Sequence, residues 1–186
     1  MLRQHQTPAR RALSGRARRD GSSAVEFAMV AFPFFFMMFA IMELGLVFVT
    51  DSVLENATVE TGRLVRTGQA ASTNMSEAQF KTELCSRMSI FQNDCPGRAT
   101  VDVRELPQFR TNPPDPLANG TSFDASGLGY KLGQPGSLVL VRIWYRQPLF
   151  TPFLKQALSK LGDGNTIMIA TTAFRNEPYA QAAPAP

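Results

Sequence analysis

Side chains that could catalyse a reaction are scarce in this chain of 186 residues. The sole histidine is His5, so neither a Ser-His-Asp nor a Cys-His arrangement can form in the rest of the sequence. Cys85 and Cys95 are the only cysteines, and two thiols are too few for a tetrahedral zinc site. No dinucleotide-binding or P-loop motif occurs, and no close pair of acids suggests general acid–base work. The sequence therefore predicts no catalytic residue, no metal and no cofactor, and it does not indicate an enzyme.

Gly21 and Glu26 define a junction at which processing chemistry is expected. A basic segment ends at Gly21, Ser22 follows, and Glu26 lies at the start of a long apolar run. Glycine offers a protease an unhindered backbone, and a carboxylate at this depth is costly unless it is paired. The junction resembles the class III prepilin-peptidase site of type IV pilins and pseudopilins, with cleavage after Gly21. Glu26 could then pair with the new α-amino group on Ser22 of a neighbouring subunit. A membrane anchor with a chance glycine and an interfacial glutamate is the simpler alternative.

The charge of the chain is concentrated before this junction. Residues 1–20 hold six of the 19 basic residues, all arginine, and one acid, Asp20. The remaining 13 basic and 14 acidic residues nearly cancel, so the net charge of +4 belongs to a short basic leader, residues 1–21. A nucleic-acid-binding domain needs its positive charge spread over a folded face. The distribution therefore argues against a nucleic-acid partner.

The run from Phe27 to Thr50 predicts a membrane-spanning helix. Twenty of its 24 residues are apolar, and the exceptions are Pro33, Glu43, Gly45 and Thr50. A helix of this length rises about 36 Å, enough for a tilted crossing of a hydrocarbon core of about 30 Å. A buried core helix rarely shows such a run on all faces. A cleaved secretion signal has a shorter apolar region and a small-residue cleavage site, and neither is present here.

The positive-inside rule orients this helix. The arginine-rich leader is expected to stay in the cytoplasm, and residues 51–186 are expected on the other side of the membrane. The expected segments are a leader at 1–21, a transmembrane helix at 22–50, a head at 51–179 that includes the continuation of the helix, and a disordered tail at 180–186.

The residues from Gly21-Ser-Ser-Ala-Val-Glu-Phe-Ala-Met-Val-Ala-Phe to Pro33, followed by Ile41-Met-Glu-Leu-Gly45, resemble the TadE-like family. TadE proteins are minor pseudopilins of the tight-adherence (Tad, or Flp) pilus, and TadF and TadG share the N-terminal pattern. Cys85, Cys95 and the segment 172–179 resemble the cysteine pair and closing segment of many members. Chain length disfavours the short major pilins and the longer TadG proteins, which leaves TadE and, as the close second, TadF.

The resemblance implies an α+β, pilin-like fold, in which a long N-terminal transmembrane helix packs on a small antiparallel sheet. It implies a role in assembling or initiating a Tad pilus for surface adherence, in the bacterial inner membrane with the head in the periplasm and possible incorporation into an extracellular pilus. The implied partners are a prepilin peptidase, other pilins and pseudopilins, the inner-membrane platform of the Tad machine and the lipid bilayer. An uncleaved, signal-anchored periplasmic scaffold or regulatory protein of a secretion machine is the alternative.

Helical spacing of apolar residues continues past the membrane to Gly68, so one helix is expected over 23–68. Pro33 is expected to kink or loosen its first half. Glu43 lies near the outer interface, where it either snorkels towards the headgroups or pairs with a neighbouring subunit.

The head is predicted to contain a second helix at 76–90, which begins with the capping-box pattern Ser76-Glu-Ala-Gln79. Cys85 lies in it and Cys95 in the following loop, and an oxidising compartment favours a disulfide between them over two free buried thiols. Strands are expected at 99–105, 137–146 and 166–174, the middle one central because its start is apolar on both faces. Residues 106–136 are expected to form an irregular excursion, either mobile or partner-binding. A short helix is expected over 149–161, and packing on the sheet is favoured over the membrane surface because only Lys155 and Lys160 supply charge.

Overall fold

The computed structural model describes residues 17–108, 110–117, 120, 122–159 and 161–179, with no side chains described at 17–20. Most of the predicted leader and the predicted tail at 180–186 therefore lie outside the described residues. The chain divides into two compact units, one ending at Phe39 and one beginning at Ala40. Helix α1, Ala17–Arg66, contributes to both units.

In the first unit, α1 exposes its surface almost completely. From Gly21 to Phe39 only Ala31 and Met38 are partly buried. The exposed large side chains are Val25, Phe27, Met29, Val30, Phe32, Phe34, Phe35, Phe36, Met37 and Phe39. Monomeric soluble proteins rarely expose so large an apolar surface, and α1 is long and apolar enough to cross a membrane. The predicted apolar helix is confirmed, and it contains Pro33.

In the second unit, a three-stranded antiparallel sheet packs against α1. The strands are β1 (Ala99–Leu106), β2 (Leu138–Pro148) and β3 (Asn165–Arg175), in the order β1-β2-β3. The predicted central position of the middle strand is thus correct. In register, Val103 lies opposite Val141, and Ile143 lies opposite Ala170.

The two faces of the sheet bury different residues because side chains alternate along a strand. On one face, Val139, Val141 and Ile143 of β2 pack in a core with Leu54 and Ala57 of α1. On the other face, smaller clusters form, one of Leu106, Leu138 and Leu140 and one of Trp144, Leu161 and Ile167. Leu117, Phe123 and Leu128 from the segment after β1 pack on the second of these clusters. The segment that was expected to be an excursion therefore covers the back of the sheet in its described part.

Short helices complete the head. They are α2 (Gln69–Ser72), α3 (Glu77–Ser86), a 3₁₀ turn (Ser89–Phe91), α4 (Cys95–Arg98) and α5 (Pro152–Leu158). The predicted capping box is present, since the Ser76 side chain accepts from the Gln79 amide and the Gln79 side chain accepts from the Ser76 amide. The helix predicted to reach residue 90 ends at Ser86, and the one predicted over 149–161 is shorter at both ends.

Candidate functional site

The predicted processing junction lies on the exposed start of α1. The Gly21–Ser22 peptide bond is within the helix, and a Cβ built on Gly21 meets nothing within 4 Å. The Ser22 hydroxyl donates to Glu26 Oε1 at 3.1 Å, one helical turn away. A carboxylate has about four lone-pair sites, so this bond leaves acceptor capacity on Glu26. The junction is sterically open, and its acid is within reach of position 22.

Glu43 has a partner within its own chain. The sequence analysis predicted either snorkelling towards the headgroups or pairing with a neighbouring subunit, and neither describes this contact. Its carboxylate accepts hydrogen bonds from the backbone amides of Phe150 and Thr151, the second at 2.8 Å. Thr151 is the N-cap of α5, and Pro152 follows at the start of that helix. Amides at the start of a helix lack helical acceptors, so a carboxylate there satisfies them. Glu43 therefore fastens α5 to α1 within the same chain.

Cys85 and Cys95 form the predicted disulfide, with their Cα atoms 5.4 Å apart. Cys85 lies in the buried face of α3, and Cys95 begins α4. Both cysteines belong to the core that also contains Phe80 and Leu84. The bond therefore ties the α3–α4 connection into the face of the head that packs on α1.

A buried ion pair joins the two strands on the other side of the sheet. Asp102 of β1 is fully buried and lies directly opposite Arg142 of β2. Asp102 accepts from Arg142 at 2.8 Å, from Arg104 at 2.9 Å and from the Gly129 amide at 2.9 Å. Arg142 also donates to the Pro114 carbonyl at 2.9 Å. The network ties the segment after β1 to the sheet, which accounts for its ordered path at these residues.

The electrostatics of Asp102 follow from these contacts. Burial raises the pKa of Asp102, but the hydrogen bonds from Arg104, Arg142 and the Gly129 amide outweigh burial, so the pKa lies below its ordinary value of 3.8. Sequence analysis missed this cluster, although an acid and an arginine occur on neighbouring predicted strands. Both carboxylate oxygens of Asp102 have partners, which is typical of a structural rather than a catalytic group.

The C-terminal segment closes on the end of α1. The Glu177 amide donates to the Arg66 carbonyl at 2.9 Å, and their side chains form an ion pair at 3.2 Å. The ring of Tyr179 lies over Gly68, which has φ +75°, so that a Cβ there would lie 2.3 Å from the ring. The side-chain amide of Asn176 donates to the carbonyls of Leu132 and Gln134. Segment 172–179, whose first residues were predicted as part of a strand and whose end was indicated by resemblance, therefore holds the end of α1 against the head.

Within the described residues, no group of three or more His, Cys, Asp or Glu side chains could hold a metal ion. One cavity in the described part is open, measures about 500 Å³ and is lined by residues of the α2–α3 region including Thr73, Met75 and Glu83. It contains no buried polar group aimed inward that would select a ligand. The distinctive feature of the molecule is therefore the exposed apolar helix with its polar start.

The comparison with known protein families identifies a match in this same helix. Residues 21–63 match the sequence model of a family described as TadE-like protein. The match begins at Gly21 and covers the apolar part of α1. No curated protein and no solved structure matches the chain.

Proposed function

We propose that this protein is a minor pseudopilin of the TadE-like type, which acts in the assembly or initiation of a Tad pilus. The observation that carries the proposal is one exposed helix, α1, whose apolar run follows Gly21, Ser22 and Glu26 within the residues that match the TadE-like family. In this proposal the precursor is a single-pass protein of the bacterial inner membrane. Its arginine-rich leader lies in the cytoplasm and its head in the periplasm.

A prepilin peptidase cleaves after Gly21 in this scheme and leaves a positive α-amino group on Ser22. Glu26 then pairs with the amine of a neighbouring subunit and sets the axial register between helices. The remaining acceptor capacity of the Glu26 carboxylate supports this step, since the Ser22 hydroxyl occupies only part of it. A charge-assisted hydrogen bond is about twice as strong as a neutral one, and low dielectric strengthens it further.

The apolar surface of α1 packs first in lipid and then against other pilins or pseudopilins. Moving it between these environments yields little hydrophobic free energy, because both are apolar. Shape-specific packing of the exposed phenylalanine side chains and the Glu26 pair must therefore decide assembly on the inner-membrane platform.

The test is the N-terminus of the mature protein. Mass spectrometry of protein extracted from membranes should show a chain that starts at Ser22, and Gly21→Ala should leave the leader attached. A Cβ at Gly21 contacts nothing among the described residues, and alanine favours helix more than glycine does. A block in processing would therefore reflect recognition by the peptidase and not a folding defect. An intact leader in the functional protein would instead support an uncleaved periplasmic scaffold.

Glu26→Gln separates processing from assembly. The variant should be cleaved normally but should yield few pili, because the amide carries no charge to pair with an amine. Glu55→Gln is the matched control, since Glu55 is exposed on the same helix in the head. Normal piliation by Glu26→Gln would remove the proposed role of Glu26, while the proposed cleavage would still be judged by the N-terminus.

A further inference from the structure

Helix α5 and the residues just before it divide their apolar side chains between two environments. Leu149 and Leu154 are buried, with 2% and 6% of their surface exposed. Phe150 and Phe153, in the same short stretch, are 73% and 62% exposed. Two large aromatic side chains that face outward on one turn are costly in water. Within the described residues this pair of rings is uncovered, so a further partner for the rings is expected.

Glu43 fixes where α5 lies along α1. The Glu43 carboxylate binds the amides of Phe150 and Thr151, so α5 begins beside that residue. A helix from Ser22 to Glu43 has a length of about 33 Å, which matches a hydrocarbon core of about 30 Å. A span that begins at the processing junction therefore ends at Glu43, several residues before the end of the apolar run.

The residues of α1 beyond Glu43 support this boundary. Val47 packs against the core of the head, and Thr50 is fully buried. On the outward side, Phe48 is 65% exposed and Val49 is half exposed. One side of α1 over residues 44–50 thus packs against the head, and the other side is an exposed apolar surface. This surface lies at the same end of the second unit as α5.

We propose that Phe150 and Phe153 insert into the bilayer interface at the outer end of the span, so that α5 is a second membrane contact of the head. The occupant of this apolar face is lipid, because α5 is fastened to the membrane-spanning helix itself. Lys155 lies close enough to interact electrostatically with Glu43 and brings a cation to the headgroup level. Aromatic rings flanked by a lysine are typical of an interfacial anchor. The inference rests on the proposed span and is independent of cleavage and of pilus assembly.

The experiment uses the full-length chain in phosphatidylcholine vesicles, with lipids brominated near the headgroup end of the acyl chains as quenchers. Phe150→Trp and Phe153→Trp each add one reporter to Trp144, the sole native tryptophan, which is buried. Subtracting the wild-type emission isolates the reporter. Both variants should lose emission by about twofold in brominated relative to ordinary vesicles, as expected for rings near the headgroup–acyl boundary.

Val59→Trp is the matched control. Val59 is 57% exposed on α1 and lies about 24 Å beyond Glu43 along that helix. The emission of a tryptophan at this position should therefore not change. Flotation after an alkaline carbonate wash reports the span separately, because the wash releases protein bound only at the interface and leaves a spanning helix in the lipid. A floating protein in which both reporters are quenched no more than Val59→Trp would overturn the inference. Blue-shifted but unquenched reporters would show that protein covers this face, and this result would also overturn it.

Discussion

The carboxylate of Glu43 accepts a hydrogen bond from the amide of Thr151 at 2.8 Å, across 108 positions of sequence. This contact joins the apolar run of α1, at a point several residues before its end, to the start of α5. It explains how a carboxylate is tolerated in an otherwise apolar stretch, since hydrogen-bond donors are held against it by the fold.

Glu43→Ala should therefore loosen α5 locally. The amides of Phe150 and Thr151 lose their acceptor, so hydrogen exchange at the start of α5 should become faster. Exchange measured by mass spectrometry on the full chain in detergent micelles checks this. Glu55→Ala, on the exposed side of the same helix, should leave the α5 peptides unchanged. Equal exchange in both variants would contradict a fastening role for Glu43.

Asp102→Asn should destabilise the head by about 3–5 kcal/mol, because it leaves the buried Arg142 without its counter-charge. Denaturant unfolding followed by the fluorescence of Trp144 measures the change. Trp144 is a suitable reporter since the Arg142 guanidinium lies 4.7 Å from its ring centroid. Glu60→Gln, which changes an exposed acid on α1, should cost little.

Acid should weaken the same network in the unmodified protein. The pKa of Asp102 is lower in the folded state than its ordinary value of 3.8, so the unfolded chain binds more protons in the acid range. The contribution of Asp102 to stability is full above that value and is lost as the pH falls through the lowered pKa. Stability measured against pH should therefore fall more steeply in the wild type than in Asp102→Asn. Parallel curves would show that other groups govern the acid response.

Removing the disulfide should lower the free energy of unfolding by about 2–3 kcal/mol in the chain-entropy estimate for so short a loop. The paired change Cys85→Ser with Cys95→Ser avoids a lone thiol. Both positions are buried, so Cys85→Ala with Cys95→Ala is the better packing control. Chemical denaturation of both variants and of reduced wild type should give a common loss of stability. An unchanged free energy of unfolding in the reduced wild type would contradict the expectation.

Gly68→Ala should destabilise the closure at the end of α1 by about 1–3 kcal/mol, through backbone strain and displacement of the Tyr179 ring. Gly136→Ala isolates the first effect, because Gly136 has φ +79° and open space around its Cβ position. Thermal unfolding should rank Gly68→Ala as the less stable of the two. In a Tyr179→Ala background, the further loss of stability caused by Gly68→Ala should be closer to the loss caused by Gly136→Ala in the wild type. Equal losses of stability in the two single variants would show that the contact with Tyr179 adds nothing to the cost of Gly68→Ala.

Local patterns predicted much of this fold. The apolar run, the capping box at Ser76 and the apolar start of β2 each depend on neighbours in sequence, and all three are confirmed. The disulfide was predicted because the chain contains only two cysteines, so only one pairing is available. Periodicity also set the strands within one or two residues of their observed ends.

Contacts between distant residues escaped prediction for a physical reason. The alternating pattern around Asp102 indicates a polar face but does not reveal that Arg142 lies opposite or that a loop covers that face. Glu43 binds backbone amides, which carry no sequence signature. The segment after β1 lacks periodicity because its backbone, through Gly129 and Lys131, pairs with Val103 without forming a regular strand.

The pairing of β3 has a consequence for biosynthesis. Thr172 and Phe174 lie against Gly62 of α1, and Glu177 binds Arg66, so the helix made early in translation receives its final neighbours from the last part of the chain. A ribosome-bound nascent chain that lacks residues 165–179 can form the β1–β2 pair but exposes one edge of β2 and the flank of α1. The head is therefore completed only after its C-terminal strand has left the ribosomal tunnel.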